Sequence, residues 1–280
     1  MDQEVVLSAN DGFALSGLYV YPIKSCGGVA LSSATVTTTG LRYDRRWMLV
    51  DEAGEFLSQR RLPRMALIST RFGPERLIVG APGMPALEVL LRPETGDRVD
   101  VCVWGDAGRG VPVGDEADRW FGEFLGFPCR LIYKPDDDVR LVDSAYAKDG
   151  DQVGFADAFA FLLISEASLG DLNGRLREPV PMSRFRPNLV VRGCEPYAED
   201  RWSLVRVGVV AFRAADPCPR CAVTTVDQST GTRGKEPLRT LAAYRDSDEG
   251  VLFGRYLIHN SSGTLRVGDR LEAAPQPPAP

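Results

Sequence analysis

Apolar positions along this chain alternate over short runs for most of its length, the signature of half-buried strands rather than helices. Ala34-Thr-Val-Thr-Thr-Thr39 is β-branched and stops at Gly40. Arg46–Asp51 and Glu55–Gln59 flank Glu52-Ala-Gly54, which predicts a hairpin with glycine in its turn. Arg76–Val79, Ala86–Leu91 and Arg98–Trp104 continue as short strands between Gly and Pro. This rhythm predicts a barrel or sandwich in the N-terminal part. The period changes near Asp115, where Trp120, Phe121, Phe124 and Leu125 share one helical face and Gly126 ends it. A second helix starts after Ser165, a good N-cap, with Glu166 in its first turn and Leu169, Leu172 and Leu176 at helical spacing. Strand patterns return over Asn188–Val191, Trp202–Phe212, Val223–Val226, Val251–His259 and Thr264–Leu271. A short helix over Pro237–Tyr244 has Pro in its first turn. Lys134–Arg140 is polar and reads as a boundary or exposed loop, and the Pro-rich end of the chain reads as a disordered tail.

Composition narrows the function more than the fold. The 280 residues are 44% hydrophobic and 25% charged, ordinary for a globular protein able to bury a core. A net charge of −5 argues against a general nucleic-acid binder and against a polybasic membrane anchor. No apolar run is long enough for a transmembrane helix, and the Met1-Asp-Gln-Glu-Val-Val start lacks the basic and apolar regions of a signal peptide. A cytoplasmic protein is expected, with its six scattered cysteines as free thiols. The single histidine, His259, lies in a strand-like run and reads as a hydrogen-bonded structural residue rather than a catalytic one.

Chemistry concentrates at Cys218-Pro-Arg-Cys221, where two thiols flank Arg220. A thiolate is a soft ligand and a nucleophile, and an adjacent cation lowers its pKa. Spacing alone leaves three readings open. A zinc site lacks the second cysteine pair it commonly needs, a thioredoxin-like dithiol lacks the following helix, and two buried thiols would do no chemistry. Anion-binding candidates are Lys24-Ser25 ahead of Gly27-Gly28, the arginines of Leu41–Trp47, and Arg186 with Asn188 at a strand entrance fixed by Pro187. Each alone is a weak signal. No Gly-x-Gly-x-x-Gly follows a strand, and Gly231-Thr-Arg-Gly-Lys235 lacks phosphate-loop spacing.

Seven blocks, taken together and in order, carry a resemblance. They are Tyr21-Pro-Ile-Lys-Ser-Cys26, Asp44-Arg-Arg-Trp47, Ser165-Glu-Ala-Ser-Leu169, Phe185-Arg-Pro-Asn188, Tyr197-Ala-Glu-Asp200, Cys218-x-x-Cys221 with Thr224-Thr-Val-Asp227, and Lys235-Glu-Pro-Leu238. The chain resembles MOSC-domain proteins with a β-barrel MOSC N-terminal domain, those of the amidoxime reducing component and YcbX type. The resemblance implies a mainly β fold with some helices. It implies an N-terminal domain over 1–115, a helix and connecting loop over 116–140, a MOSC domain over 141–273 and a disordered tail over 274–280. It implies a molybdenum cofactor, a pterin dithiolene with a terminal phosphate, whose metal takes a further sulfur from Cys221. Lys24, Ser25 and Arg45 match the pterin- and phosphate-binding positions, and Arg186 and Asn188 a second group across the cofactor. Arg220 joins this set, and so does Asp157, although Ala158 and Phe159 stand where relatives tend to have small hydroxyl residues. Cys194 reads as structural, and Cys218 either as a thiol tuning the site or as a small buried residue. The implied reaction reduces an N-hydroxylated compound (an amidoxime, a hydroxylamine or an N-hydroxylated base analogue) to the amine or amidine plus water. Molybdenum would abstract the oxygen while cycling between Mo(IV) and Mo(VI). Electrons would come from a separate ferredoxin-, cytochrome b5- or flavin-type protein, with no nucleic-acid or membrane partner, and the chain is expected to act as a monomer. The alternative is a cofactor carrier or sulfur-transfer module with a persulfide on Cys221.

Overall fold

The computed structural model describes residues 12–93, 96–142 and 145–275. The expectation for the N-terminal residues falls outside them. In chain order the strands are β1 (Ala14–Val20), β2 (Val29–Ala30), β3 (Ser33–Thr37), β4 (Gly40–Leu41), β5 (Trp47–Val50), β6 (Ser69–Phe72), β7 (Arg76–Gly80), β8 (Leu87–Leu90), β9 (Val99–Val103), β10 (Asp106–Pro112) and β11 (Arg130–Tyr133). They continue as β12 (Phe161–Ser165), β13 (Leu189–Arg192), β14 (Trp202–Val207), β15 (Val210–Pro219), β16 (Leu252–His259), β17 (Gly263–Arg266) and β18 (Leu271–Pro275). The helices are α1 (Asp115–Leu125), α2 (Glu166–Arg175) and α3 (Leu238–Arg245). The fold is mainly β, as the alternating pattern predicts. None of the helices is long and apolar enough to cross a membrane.

The largest sheet has eight strands in the order β18-β14-β15-β16-β12-β13-β1-β2, and among the described residues it does not close into a barrel. β1 pairs antiparallel with β13, Leu15 opposite Val191 and Leu18 opposite Leu189. β3 pairs with β17, Val36 opposite Gly263. The start of the chain is thus woven into sheets made by its second half. One core joins Leu15, Leu18, Val20, Val36 and Leu41 to Phe161, Val205, Phe212 and Leu271. A second core packs Trp47, Leu49, Leu77 and Val89 against the apolar face of α1, with Trp120, Phe121 and Phe124. A third lies under α2 and α3, around Leu172, Phe185, Leu241 and Phe253.

Helix boundaries follow the local signals. α1 ends at Gly126 in the left-handed region (φ 63°), and Ser165 caps α2 by accepting from the Ser168 N–H at 3.0 Å. Pro237 is the N-cap of α3 rather than a first-turn residue. Two strand expectations fail. Glu55–Gln59 forms only isolated bridges, Phe56 to Val50 and Glu55 to Cys102. Val223–Val226 does not continue as a strand, because Ala222–Thr225 is a 3-10 turn. The hydroxyls of Thr224 and Thr225 donate to the carbonyls of Cys221 and Ala222 at 3.0 and 2.8 Å, giving these β-branched residues a local partner that stabilises the turn. Ala274 and Pro275, expected in the tail, instead end β18, with Ala274 buried, while 276–280 lie outside the described residues.

Candidate functional site

One cleft collects the residues that the resemblance assigns to cofactor and metal binding. Lys24, Ser25, Arg45, Asp157, Arg186, Asn188, Arg220 and Cys221 all line it, although they come from five separated segments. Four of the segments lie beside strand ends, and Asp157 lies in the loop before β12. Lys24 and Ser25 follow β1, Arg45 precedes β5, Arg186 and Asn188 precede β13, and Arg220 and Cys221 follow β15.

The segments are pinned to one another by main-chain hydrogen bonds. Lys24 N–H donates to Trp47 C=O at 2.8 Å and Arg45 N–H to Tyr21 C=O at 2.9 Å, so 21–25 and 44–47 run side by side. Phe155 N–H donates to Arg45 C=O at 2.8 Å, bringing 154–157 onto the same ridge. The buried Arg140 guanidinium grips that segment from behind, donating to Ala156 C=O at 2.6 Å and Asp157 C=O at 3.2 Å. Three cleft residues, Ser25, Arg45 and Arg186, sit at φ of 66°, 46° and 56°. The left-handed region costs an ordinary side chain about 1–2 kcal/mol. Its recurrence at three converging positions is the pattern of strain held at functional sites.

Tyr21 organises the cations. Arg45 and Arg186 lie over its ring at 4.4 and 4.2 Å, and its hydroxyl donates to Pro187 C=O at 3.1 Å. Arg45 donates to Asp44 at 2.6 Å and to Asn188 Oδ1 at 3.0 Å, while Arg186 donates to Cys26 C=O at 2.6 Å. Asn188 has its own protein partners, since Nδ2 donates to Tyr19 C=O at 3.2 Å; it acts as a strut that aims Arg45. Burial pulls the Arg186 guanidinium down to about 10, with Tyr21 opposing and Arg45 adding to the fall, so it stays charged at neutral pH. Burial likewise lowers Lys24, against the attraction of Asp157. Lys24 is buried, donates to Phe155 C=O at 2.7 Å and pairs with Asp157, which leaves its third proton for a ligand. Burial works against the charge on Asp157, but Lys24 and Arg60 outweigh it and hold the carboxyl well below the usual range.

At the far wall, Arg220 donates to Cys218 Sγ at 2.8 Å and to Phe185 C=O at 2.7 Å, while its buried Nε has no partner. Cys218 is buried, and burial pushes its thiol up despite Arg220. Cys221 is partly exposed to the cleft, and both thiols are free. Among the described residues no three His, Cys, Asp or Glu side chains cluster to hold a metal. A metal at Cys221 would therefore draw its other ligands from a bound group.

Some expectations need correction. Gly27 and Gly28 do not line the cleft. Gly27 N–H is spent on Ile68 C=O at 2.8 Å, and a Cβ on Gly28 would stand 2.5 Å from the Tyr21 ring. The glycines make room for packing, and for Tyr21 in particular. Of the arginines near Asp44 only Arg45 enters the cleft; Arg46 turns away to Lys134 C=O at 2.5 Å and to Asp136. His259 is edge-on to Phe161 at 5.6 Å and does not line the cleft, and burial lowers its pKa. The block around Glu199 is architectural: its carboxylate accepts from Ser165 N–H at 3.0 Å and Ser168 Oγ at 2.7 Å, tying the start of α2 to the sheet. Sequence reasoning missed Arg60 and Tyr256, which also line the cleft. Arg60 lies in an undistinguished basic stretch, and Tyr256 looks like any strand tyrosine.

Comparison with known proteins finds two family matches along the chain. Residues 12–128 match the MOSC N-terminal beta barrel domain, and residues 150–272 match the MOSC domain. The chain is 39% identical over 272 residues to mouse mitochondrial amidoxime-reducing component 1, covering 90% of this chain and 79% of that one. The human counterpart is 37% identical over the same length. A rice molybdenum cofactor sulfurase is 35% identical over 261 residues, but the match spans only 32% of that protein.

Proposed function

The chain belongs to the MOSC-domain proteins that carry a MOSC N-terminal beta barrel domain, and from that we propose that it is a molybdenum-cofactor-dependent reductase of N-hydroxylated small molecules. The observation that carries this reading is the composition of the cleft. Five cationic side chains, Lys24, Arg45, Arg60, Arg186 and Arg220, line it against a single carboxylate, Asp157, with the Cys221 thiol open to the same space. The orphaned Arg220 Nε adds a buried donor awaiting an acceptor. This set fits an anionic dithiolene pterin with a terminal phosphate: forked and point cations for the oxyanion, and one soft donor for the metal.

In this proposal Lys24, Ser25, Arg45 and Arg186 hold the phosphate and pterin, and Cys221 supplies a sulfur to molybdenum. The bound group supplies the two electrons that cleave the N–O bond, so that R–NH–OH, two electrons and two protons give R–NH2 and water. The protein's own part is electrostatic and geometric. Tyr21 and Asn188 keep two guanidiniums aimed into one space, and Lys24 Nζ holds a proton there. The walls formed by Phe159, Leu162 and Phe185 restrict water. Electrons arriving from a separate ferredoxin-, cytochrome b5- or flavin-type protein, and a cytoplasmic monomer, are part of the same proposal.

Elemental analysis of protein from a host that makes the cofactor tests it. About one molybdenum per chain is expected, together with reduction of amidoximes by a chemical donor. Cys221→Ser is expected to lose activity while retaining pterin. Alanine at Lys24, Arg45 and Arg186 together is expected to empty the cleft, since charge-assisted bonds contribute about 1.5–3 kcal/mol each. Full occupancy in that triple variant would refute the pocket. The similarity to the sulfurase supports a second reading, a cofactor carrier or persulfide module. Molybdenum binding without reductase activity, and with labile sulfur on Cys221, would favour it.

A further inference from the structure

Of the four tryptophans, Trp47, Trp120 and Trp202 are buried, whereas Trp104 is 54% exposed. It opens the two-residue turn Trp104-Gly105 that joins β9 to β10, with Val103 opposite Asp106. Both turn residues are left-handed, at φ of 57° and 88°. This is a type I′ hairpin turn, whose first position favours Asn, Asp or Gly because they tolerate that region. Tryptophan there combines backbone strain with a large apolar ring left in water, and the hairpin itself needs neither.

The surroundings of the ring indicate its use. The Arg60 guanidinium lies 4.6 Å from the ring centroid, and Phe56 lies 5.0 Å away at a tilt of 58°. Both neighbours lead into the cleft. Arg60 lines it and reaches the Asp157 carboxylate at 3.4 Å, and Phe56 lies beneath the Lys24 ammonium at 4.9 Å. The indole is thus fixed at the cleft mouth by a cation and an aromatic ring, with more than half of its surface free.

We propose that Trp104, backed by Arg60, is an aryl subsite at the mouth of the cleft, where the planar conjugated end of a substrate stacks while its N-hydroxyl group points inward toward Cys221. The substrate chemistry rests on the reductase reading; the binding of a planar ring does not. Stacking discriminates by shape. It favours aryl amidoximes and N-hydroxylated heteroaromatic bases and gives nothing to compact aliphatic ones.

The test uses the holoenzyme with Trp104→Asn and Trp104→Phe. Asparagine suits the turn, so the fold is retained and thermal stability is unchanged or higher. For benzamidoxime, KM is expected to rise about 3- to 10-fold in Trp104→Asn and to stay near wild type in Trp104→Phe. For acetamidoxime, KM is expected to be the same in all three proteins. An unchanged benzamidoxime KM in Trp104→Asn overturns the subsite, and so does an equal rise for both substrates. If no N-hydroxylated compound is reduced at all, the reductase reading fails, and calorimetric titration with benzamidoxime decides the subsite on its own. Binding weakened in Trp104→Asn but kept in Trp104→Phe supports it, and equal binding or none overturns it.

Discussion

Glu199 shows how a single residue of the family pattern is committed to stability. It is fully buried, and burial pushes its carboxyl above the usual value of 4.5 even though Ser165 and Ser168 donate to it. The folded state therefore keeps the proton where the unfolded state releases it. The stability this contributes is present below pH 4.5 and is lost as pH rises through the folded value. Glu199→Gln keeps an acceptor for Ser165 and Ser168 and removes the titration. Denaturant midpoints are expected to be similar for the two proteins at pH 4.5, with the variant gaining on wild type toward pH 7. A parallel pair of pH profiles would show that the carboxyl is ionised in the fold. His259 contributes in the opposite sense: burial lowers its pKa below 6.5, so its contribution is lost as pH falls from neutrality.

At the scale of elements, caps and tight contacts set what the strands can deliver to the cleft. Ser165→Ala removes the cap of α2 and is expected to cost about 1–2 kcal/mol in chemical denaturation. Gly28→Ala touches no cleft residue, yet its methyl would meet the Tyr21 ring, on which Arg45 and Arg186 rest. Cofactor occupancy is expected to fall in this variant by more than its stability predicts, as read by pterin content against Tm. Such indirect support explains what was legible in the chain and what was not. α1 was readable because Trp120, Phe121 and Phe124 repeat at helical spacing and Gly126 follows. The 3-10 turn after Cys221 was not, since Val-Thr-Thr-Val has strand propensity and only the hydroxyl bonds reverse it. Cleft residues were found through seven ordered blocks, no one of which was specific. Arg60 and Trp104 escaped because a basic stretch and a hairpin tip carry no pattern that separates them from ordinary surface.

For the molecule as a whole, the two matched segments share one core. Residues 150–272 alone lack β1, β3 and β4, and with them Leu15, Leu18, Val20, Val36 and Leu41 from the principal core. That fragment is expected to show no cooperative thermal transition, and calorimetry should recover one when a peptide spanning residues 12–41 is added. The same weave has a temporal side. Ala14 pairs with Arg192, so β1 leaves the ribosome well before its partner, which lies 178 residues behind it. At about 5–20 residues per second, that delay is roughly 9–36 s. Throughout it, the edge of β1 that β13 later covers has no native neighbour, and yield is expected to depend on translation rate and on holding chaperones.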